Sequence, residues 1–175
     1  DTRDTRPLTL PMVFAAWPDV NQQRAAAILA SWFGRKAAWR GQHFPVLYNQ
    51  LPQQQHAVVF ATNDARPDFL KNLPPVMKPT VAMVSQPDSP YEKMLLILGR
   101  NDDDLLTAVQ GIAQGELLLR GDSATVDRVT LLAPRQPYDA PNWVRTDRRT
   151  TFAELTQYEN QLQSDGLQPN PISLT

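Results

Sequence analysis

The stretch Met94-Leu95-Leu96-Ile97-Leu98-Gly99-Arg100-Asn101-Asp102-Asp103-Asp104-Leu105-Leu106 constrains the fold more than any other part of the chain. An apolar run of strand length stops at a glycine. Acidic residues follow, and then apolar residues recur at Leu105, Val109 and Ile112, with Leu106 and Ala113 beside them. That i, i+4, i+7 spacing describes a helix burying one face. The Asp cluster supplies an N-cap and favourable charge in the first turn, where unpaired N–H groups and the positive end of the helix dipole lie. Gly115 stands where a C′ glycine belongs. Strand, tight turn and helix together form the repeating unit of an α/β domain.

The rest of the chain supplies partners for this unit. Leu8 to Phe14 reads as a first strand, limited by Pro7 and Pro11 to an edge or to its ends. Pro18-Asp19 opens a helix whose face is Ala25, Ile28, Leu29 and Trp32, with Gly34 as its C′ stop and another turn over Ala37 to Trp39 before Gly41. Phe44 to Leu47 is a short strand. His56 to Ala61 is apolar throughout, as expected of a strand covered on both faces. Asp64 to Leu73 reads as a short helix closed by Pro74-Pro75. Thr80 to Val84 and Tyr91 to Leu98 are too close in sequence for a helical crossover, so they pair as an antiparallel hairpin and the sheet is mixed. Thr125 to Leu132 is a last strand.

From Pro134 the character changes. Pro134, Pro137 and Pro141 are closely spaced, and a polar run leads to a helix over Phe152 to Leu162, with Thr151 and Glu154 at capping-box spacing. Ile172 to Thr175 reads as a strand beginning. The expected organisation is an α/β domain over 1–133 followed by a linker arm over 134–175.

Composition removes several classes of function. Net charge is −1, so there is no basic excess to neutralise a nucleic acid. The chain has no cysteine, which excludes disulfides, thiolate metal sites and cysteine nucleophiles within it. No apolar run approaches the roughly 20 residues that span a bilayer. The polar start, Asp1 to Arg6, does not read as a signal peptide.

A doubly wound domain invites a nucleotide or flavin, and the residues argue against one. Neither G-x-G-x-x-G nor G-x-x-x-x-G-K-[ST] occurs. The first strand-to-helix turn carries Pro18 and Asp19, and the turn after Leu98 carries three aspartates where an anion would sit. Those acids are read as cap and solvated face, with metal chelation the competing reading. His43 and His56 lack ligand spacing, and no G-x-S-x-G elbow sets up a serine. No catalytic, cofactor-binding or metal-ligating residue is therefore assigned. Arg145 and Arg149 form a single R-x-x-x-R, read first as a solvated or carboxylate-paired loop. Trp17, Trp39, Tyr138 and Trp143 lie at segment ends, where rings can stack on sugar C–H faces or pin the linker to the domain; Trp32 is read as core. Tyr138, Trp143 and Arg145 are the candidate glycan or interdomain contacts.

Three stretches carry a family resemblance: His56 through Leu70, Gly99 through Gly115, and Pro137-Tyr138-Asp139-Ala140-Pro141-Asn142-Trp143-Val144-Arg145-Thr146-Asp147. They resemble the periplasmic regulatory subunit of bacterial cellulose synthase, most of all its enterobacterial form. The resemblance covers most of the chain and is weaker from Asn72 to Ser89. It implies a flavodoxin-like fold, here an open mixed sheet flanked by helices with an extended C-terminal linker arm. It implies a larger periplasmic protein in which two carbohydrate-binding jelly rolls alternate with two such domains. A C-terminal anchor, absent from this chain, would attach it to the inner membrane. This chain would be the first flavodoxin-like domain and the arm leading to the second jelly roll. The implied role is that of an accessory subunit, not an enzyme, supporting cellulose biosynthesis and guiding the emerging glucan across the periplasm. The implied partners are the catalytic subunit of cellulose synthase, nascent cellulose held by the neighbouring jelly rolls, and further copies of the same periplasmic protein. No cofactor, nucleic acid or membrane insertion by this fragment is expected. The family has also carried the name cyclic di-GMP-binding protein. The alternative is thus a regulatory module for cyclic di-GMP, although only one weak R-x-x-x-R and no D-x-S-x-x-G accompany it.

Overall fold

Alternation along two apolar strands decides where the core lies. The computed structural model describes residues 6–115, 122–127 and 129–131, with the backbone of 164–165 and 168–169. Side chains of successive strand residues point to opposite faces. In β5 (Ala57–Thr62) and β7 (Ser89–Gly99), Val58, Phe60, Leu95 and Ile97 therefore face one way, and Ala57, Val59, Ala61, Met94, Leu96 and Leu98 the other. Both sets are buried, so the sheet is covered on both sides.

The sheet has six strands in the order β4-β2-β5-β7-β6-β8, where β2 is Met12–Phe14, β4 Val46–Tyr48, β6 Thr80–Gln86 and β8 Ser123–Thr125. Strands β4, β2, β5 and β7 are parallel, and β6 runs antiparallel to both β7 and β8. This is the expected mixed α/β sheet of flavodoxin-like type. Both helices, α1 (Val20–Ala37) and α2 (Asp102–Ala113), pack on one face through Ala25, Leu29, Leu105, Ala108 and Val109. Phe14 and Phe60 stack beneath them, ring centroids 4.9 Å apart. The opposite face is covered by Leu51, Phe69, Leu70, Leu73 and Val76.

Several boundaries differ from the sequence reading. The first strand divides into β1 (Leu8–Thr9) and β2 around buried Pro11, and β1 pairs with β3 (Gln42–His43). Its bonding continues across the break, because Leu10 N–H reaches His43 O at 3.0 Å and Met12 N–H reaches Pro45 O at 2.8 Å. Gly34 is not a helix stop. Helix α1 runs to Ala37, which is buried, and ends at Ala38 with φ +53°. Burial of Ala37 prolongs the apolar stripe past the local stop signal. The helix expected over Asp64 to Leu73 is a single 3₁₀ turn, Asp68–Leu70. Pro67 disfavours helical geometry at Arg66, and the Arg66 side chain takes the carbonyls of Leu73 and Pro74. The last strand ends at Thr125, where the sequence pattern would begin it. Its partner β6 is preceded by Pro79, which has no N–H, so the ladder closes with Val126 N–H on Pro79 O at 2.9 Å.

At the far end, β9 (Ser164–Asp165) and β10 (Gln168–Pro169) form an antiparallel ladder. The chain divides into two compact units, Asp1–Thr130 and Leu131–Thr175. The helix expected at Phe152 to Leu162 and the strand at Ile172 to Thr175 fall outside the described residues.

Candidate functional site at the carboxyl edge of the sheet

Ligands of open α/β sheets bind outside the carboxyl ends of the parallel strands. Here those ends belong to β4, β2, β5 and β7; Asn49 N–H on Phe14 O at 2.8 Å ties the first two, and Asn63 N–H on Gly99 O at 3.0 Å ties the last two.

The turn after β7 is built by close approach. A Cβ on Gly99 would lie 2.5 Å from Asp104 Cβ and 2.8 Å from Asn101 O, so only glycine fits. Asn101, in extended geometry, is the N-cap of α2, and its Oδ1 accepts from Asp104 N–H at 3.1 Å. The cap is thus Asn101 and not one of the aspartates, which occupy the first helical turn. Nor is Asp104 part of a solvated face, being only 6% exposed. Its Oδ2 accepts from Arg100 N–H at 2.9 Å and Nε at 2.7 Å, and its Oδ1 from Nη2 at 2.9 Å. The guanidinium holds the Asp104 carboxyl below the usual carboxylate range, while Asp104 raises Arg100.

The turn after β2 meets the same edge. Asp19 caps α1, accepting from Gln22 N–H at 2.9 Å, and Gln22 Nε2 donates to Asp102 Oδ1 at 2.9 Å. The Asp19 carboxyl is held low, first by the Gln22 backbone N–H and then by a hydrogen bond from Asp102. Burial pushes Asp102 the other way, and the neighbouring Asp19 adds to it. Both helix N-termini, the usual anion seats, are therefore occupied by the protein's own amide and carboxylate groups. A phosphate would meet Asp19, Asp102, Asp103 and Asp104, with Arg100 already engaged.

The turn after β5 is a hub that no motif announces. Asn63 Oδ1 accepts from Val76 N–H and Arg66 Nη2, both at 2.9 Å, and Asn63 Nδ2 donates to Val76 O at 2.8 Å. The signal available in the sequence is an asparagine at a strand end, four residues before a proline. Among the described residues, Arg66 Nε is the buried side-chain polar atom left without a partner.

Trp17 is 79% exposed and stacks on Tyr48, centroids 5.6 Å apart. Trp39 is also exposed. Trp32 packs against the core edge-on to Phe33, centroids 5.0 Å apart. His56 Nδ1 accepts from Lys93 N–H at 2.9 Å, and His43 lies exposed in β3. No three His, Asp or Glu among the described residues are grouped to hold a metal ion. Tyr138, Trp143, Arg145 and Arg149 lie outside the described residues.

A family model described as "Cellulose synthase BcsB, first FD domain" matches residues 1–126. The chain belongs to the BcsB family. Similar curated proteins are each called "Cyclic di-GMP-binding protein". One from Salmonella typhimurium is 61% identical over 175 residues, covering 100% of this chain and 23% of its own length. One from Escherichia coli K12 is 59% identical over the same span, covering 22% of that protein. One from Komagataeibacter xylinus is 35% identical over 171 residues, covering 95% of this chain and 20% of its own. The chain thus spans less than a quarter of the BcsB proteins it matches. Among the described residues no helix is long and apolar enough to cross a membrane.

Proposed function

We propose that this chain is a non-catalytic structural module of the periplasmic subunit of a cellulose synthase. It supports cellulose biosynthesis and the guidance of the emerging glucan across the periplasm. The observation that carries this reading is the self-occupied carboxyl edge, in a chain of the BcsB family. Where a nucleotide fold would hold phosphate, Asp19, Asn101 and Asp104 cap or brace the helices instead. Glycosyl transfer then belongs to a separate, catalytic chain of the synthase. Residues 1–133 act as the flavodoxin-like spacer, and 134–175 as the arm toward a second carbohydrate-binding jelly roll. The whole periplasmic protein is held at the inner membrane by an anchor elsewhere in its sequence, and further copies of it are candidate neighbours. Tyr138, Trp143 and Arg145 remain the proposed glycan or interdomain contacts on the arm.

The second reading, a regulatory module for cyclic di-GMP, is favoured by the name of the relatives. The carboxylates at the edge count against it, since that ligand carries two phosphates.

The test uses membranes holding the catalytic chain and the full-length BcsB protein. Glucan formation from UDP-glucose should fall when the domain is unfolded by Gly99→Leu, and the isolated chain should form none. Undiminished output from the Gly99→Leu membranes, or glucan made by the isolated chain, would overturn the reading.

A further inference from the structure

On the sheet face away from the helices lies an open cleft of about 1110 Å³, bordered by Leu51 and Phe69 of the second core layer. It runs from the carboxyl end of β5 back to the β6–β7 turn. Asn49 and Asp68 stand at the first end, and Asp88 and Ser89 at the other. Six residues of β5 separate these ends, a length of about 20 Å at 3.3 Å per residue. Both ends are braced. Asn49 and Asp68 exchange two hydrogen bonds of 2.6 Å, and Gln86 Nε2 donates to Gln55 O at 2.6 Å.

We propose that this cleft binds a neutral, polyhydroxylated chain, specifically a β-glucan segment. The lining chemistry selects the class. Gln50, Gln53 and Gln54 project amides with no partner among the described residues. Each offers two donors and an acceptor, the complement of vicinal hydroxyls. Asp88 and Glu92 add acceptors, and no lysine or arginine lines the cleft. An anionic ligand is therefore repelled, whereas hydroxyl donors are satisfied. Tyr91 is 84% exposed at the rim, an unstacked ring for a sugar's C–H face. The cleft is larger than the roughly 300–1,000 Å³ of a compact small-molecule site, which suits an extended ligand. This inference rests on the reading of the chain as a cellulose-synthase module and gives that module a contact surface of its own.

The test is titration of the ¹⁵N-labelled chain with cellohexaose, and in parallel with the α-linked maltohexaose, followed by NMR. Cellohexaose should shift the side-chain amides of Gln50, Gln53 and Gln54 saturably. Tyr91→Ala should weaken binding about tenfold, and Gln53→Ala with Gln54→Ala by a similar factor, while the Ile97 amide stays put to show that the fold is kept. Absence of shifts with either sugar would overturn the proposal. Equal or stronger binding of maltohexaose would overturn the β-glucan assignment. Shifts centred elsewhere, or insensitive to Tyr91→Ala, would overturn the location. A failure here leaves the membrane glucan assay unaffected, so the cleft and the structural role are judged separately.

Discussion

Asp102 and Asp104 sit two residues apart in one helical turn, yet their carboxyls are pushed in opposite directions. The cause is what each one touches. The Asp104 carboxyl meets a guanidinium and the Arg100 backbone N–H. Asp102 meets burial and a second carboxyl, relieved in part by the Gln22 amide. For Asp104 the folded pKa lies below the unfolded value of about 3.9. Its stabilisation is thus complete above that value and is lost as pH falls through the folded pKa. For Asp102 the folded pKa is raised, so the fold binds the proton more tightly, and stability declines as pH rises from the unfolded to the folded pKa. Asp104→Asn should therefore cost about 2 kcal/mol at pH 7, since it breaks a charge-assisted pair, and should flatten the acid limb of the stability profile. Asp102→Asn should be neutral or slightly stabilising at pH 7, because the amide oxygen still accepts from Gln22. Urea midpoints between pH 3 and pH 7 separate the two. An Asp104→Asn variant as stable as the parent would refute the assignment.

At the scale of elements, the turns decide more than the strands do. Gly99→Ala should destabilise by about 2 kcal/mol or more, read by urea denaturation, because the added methyl meets Asn101 backbone oxygen as well as a side chain. Arg66→Ala removes the contacts to Asn63, Leu73 and Pro74 that pin the cover over the second face. It should speed amide exchange at Val76, whose N–H is bonded to Asn63 Oδ1, and leave Ile97 in central β7 protected. Equal exchange at Val76 in both proteins would contradict that role. What is legible in the sequence follows the same division. Strand β5 and the Met94–Leu98 half of β7 announce themselves as unbroken apolar runs, and α2 by its stripe and Gly115, which takes positive φ. The further turn before Gly41 is legible, and the structure has a 3₁₀ turn at Ala38–Arg40, but the unbroken run of α1 through Gly34 is hidden, because burial of Ala37 is a tertiary event. The 3₁₀ turn at Asp68 is hidden because the Arg66 side chain replaces helical bonds there. At the candidate edge the negative charge is legible. The pairing of Arg100 with Asp104 is open to an i, i+4 reading, whereas the Gln22 bridge between helices 80 residues apart is not.

For the whole molecule, the helices and the second-face cover enclose a parallel core whose ligand edge is closed by its own side chains. On the function proposed above, that closure suits a nucleotide-type fold to a structural role in a BcsB protein. It also separates two kinds of ligand by charge. The carboxylates at the edge disfavour phosphates, while the amide-lined cleft on the opposite face suits the neutral hydroxyls proposed for it. The most direct measurement is isothermal calorimetry of the purified chain with cyclic di-GMP and, separately, with FMN. The expected result is no saturable heat with either ligand up to a large excess over the protein. Micromolar binding of either, abolished by competing inorganic phosphate, would contradict the claim that this edge is closed.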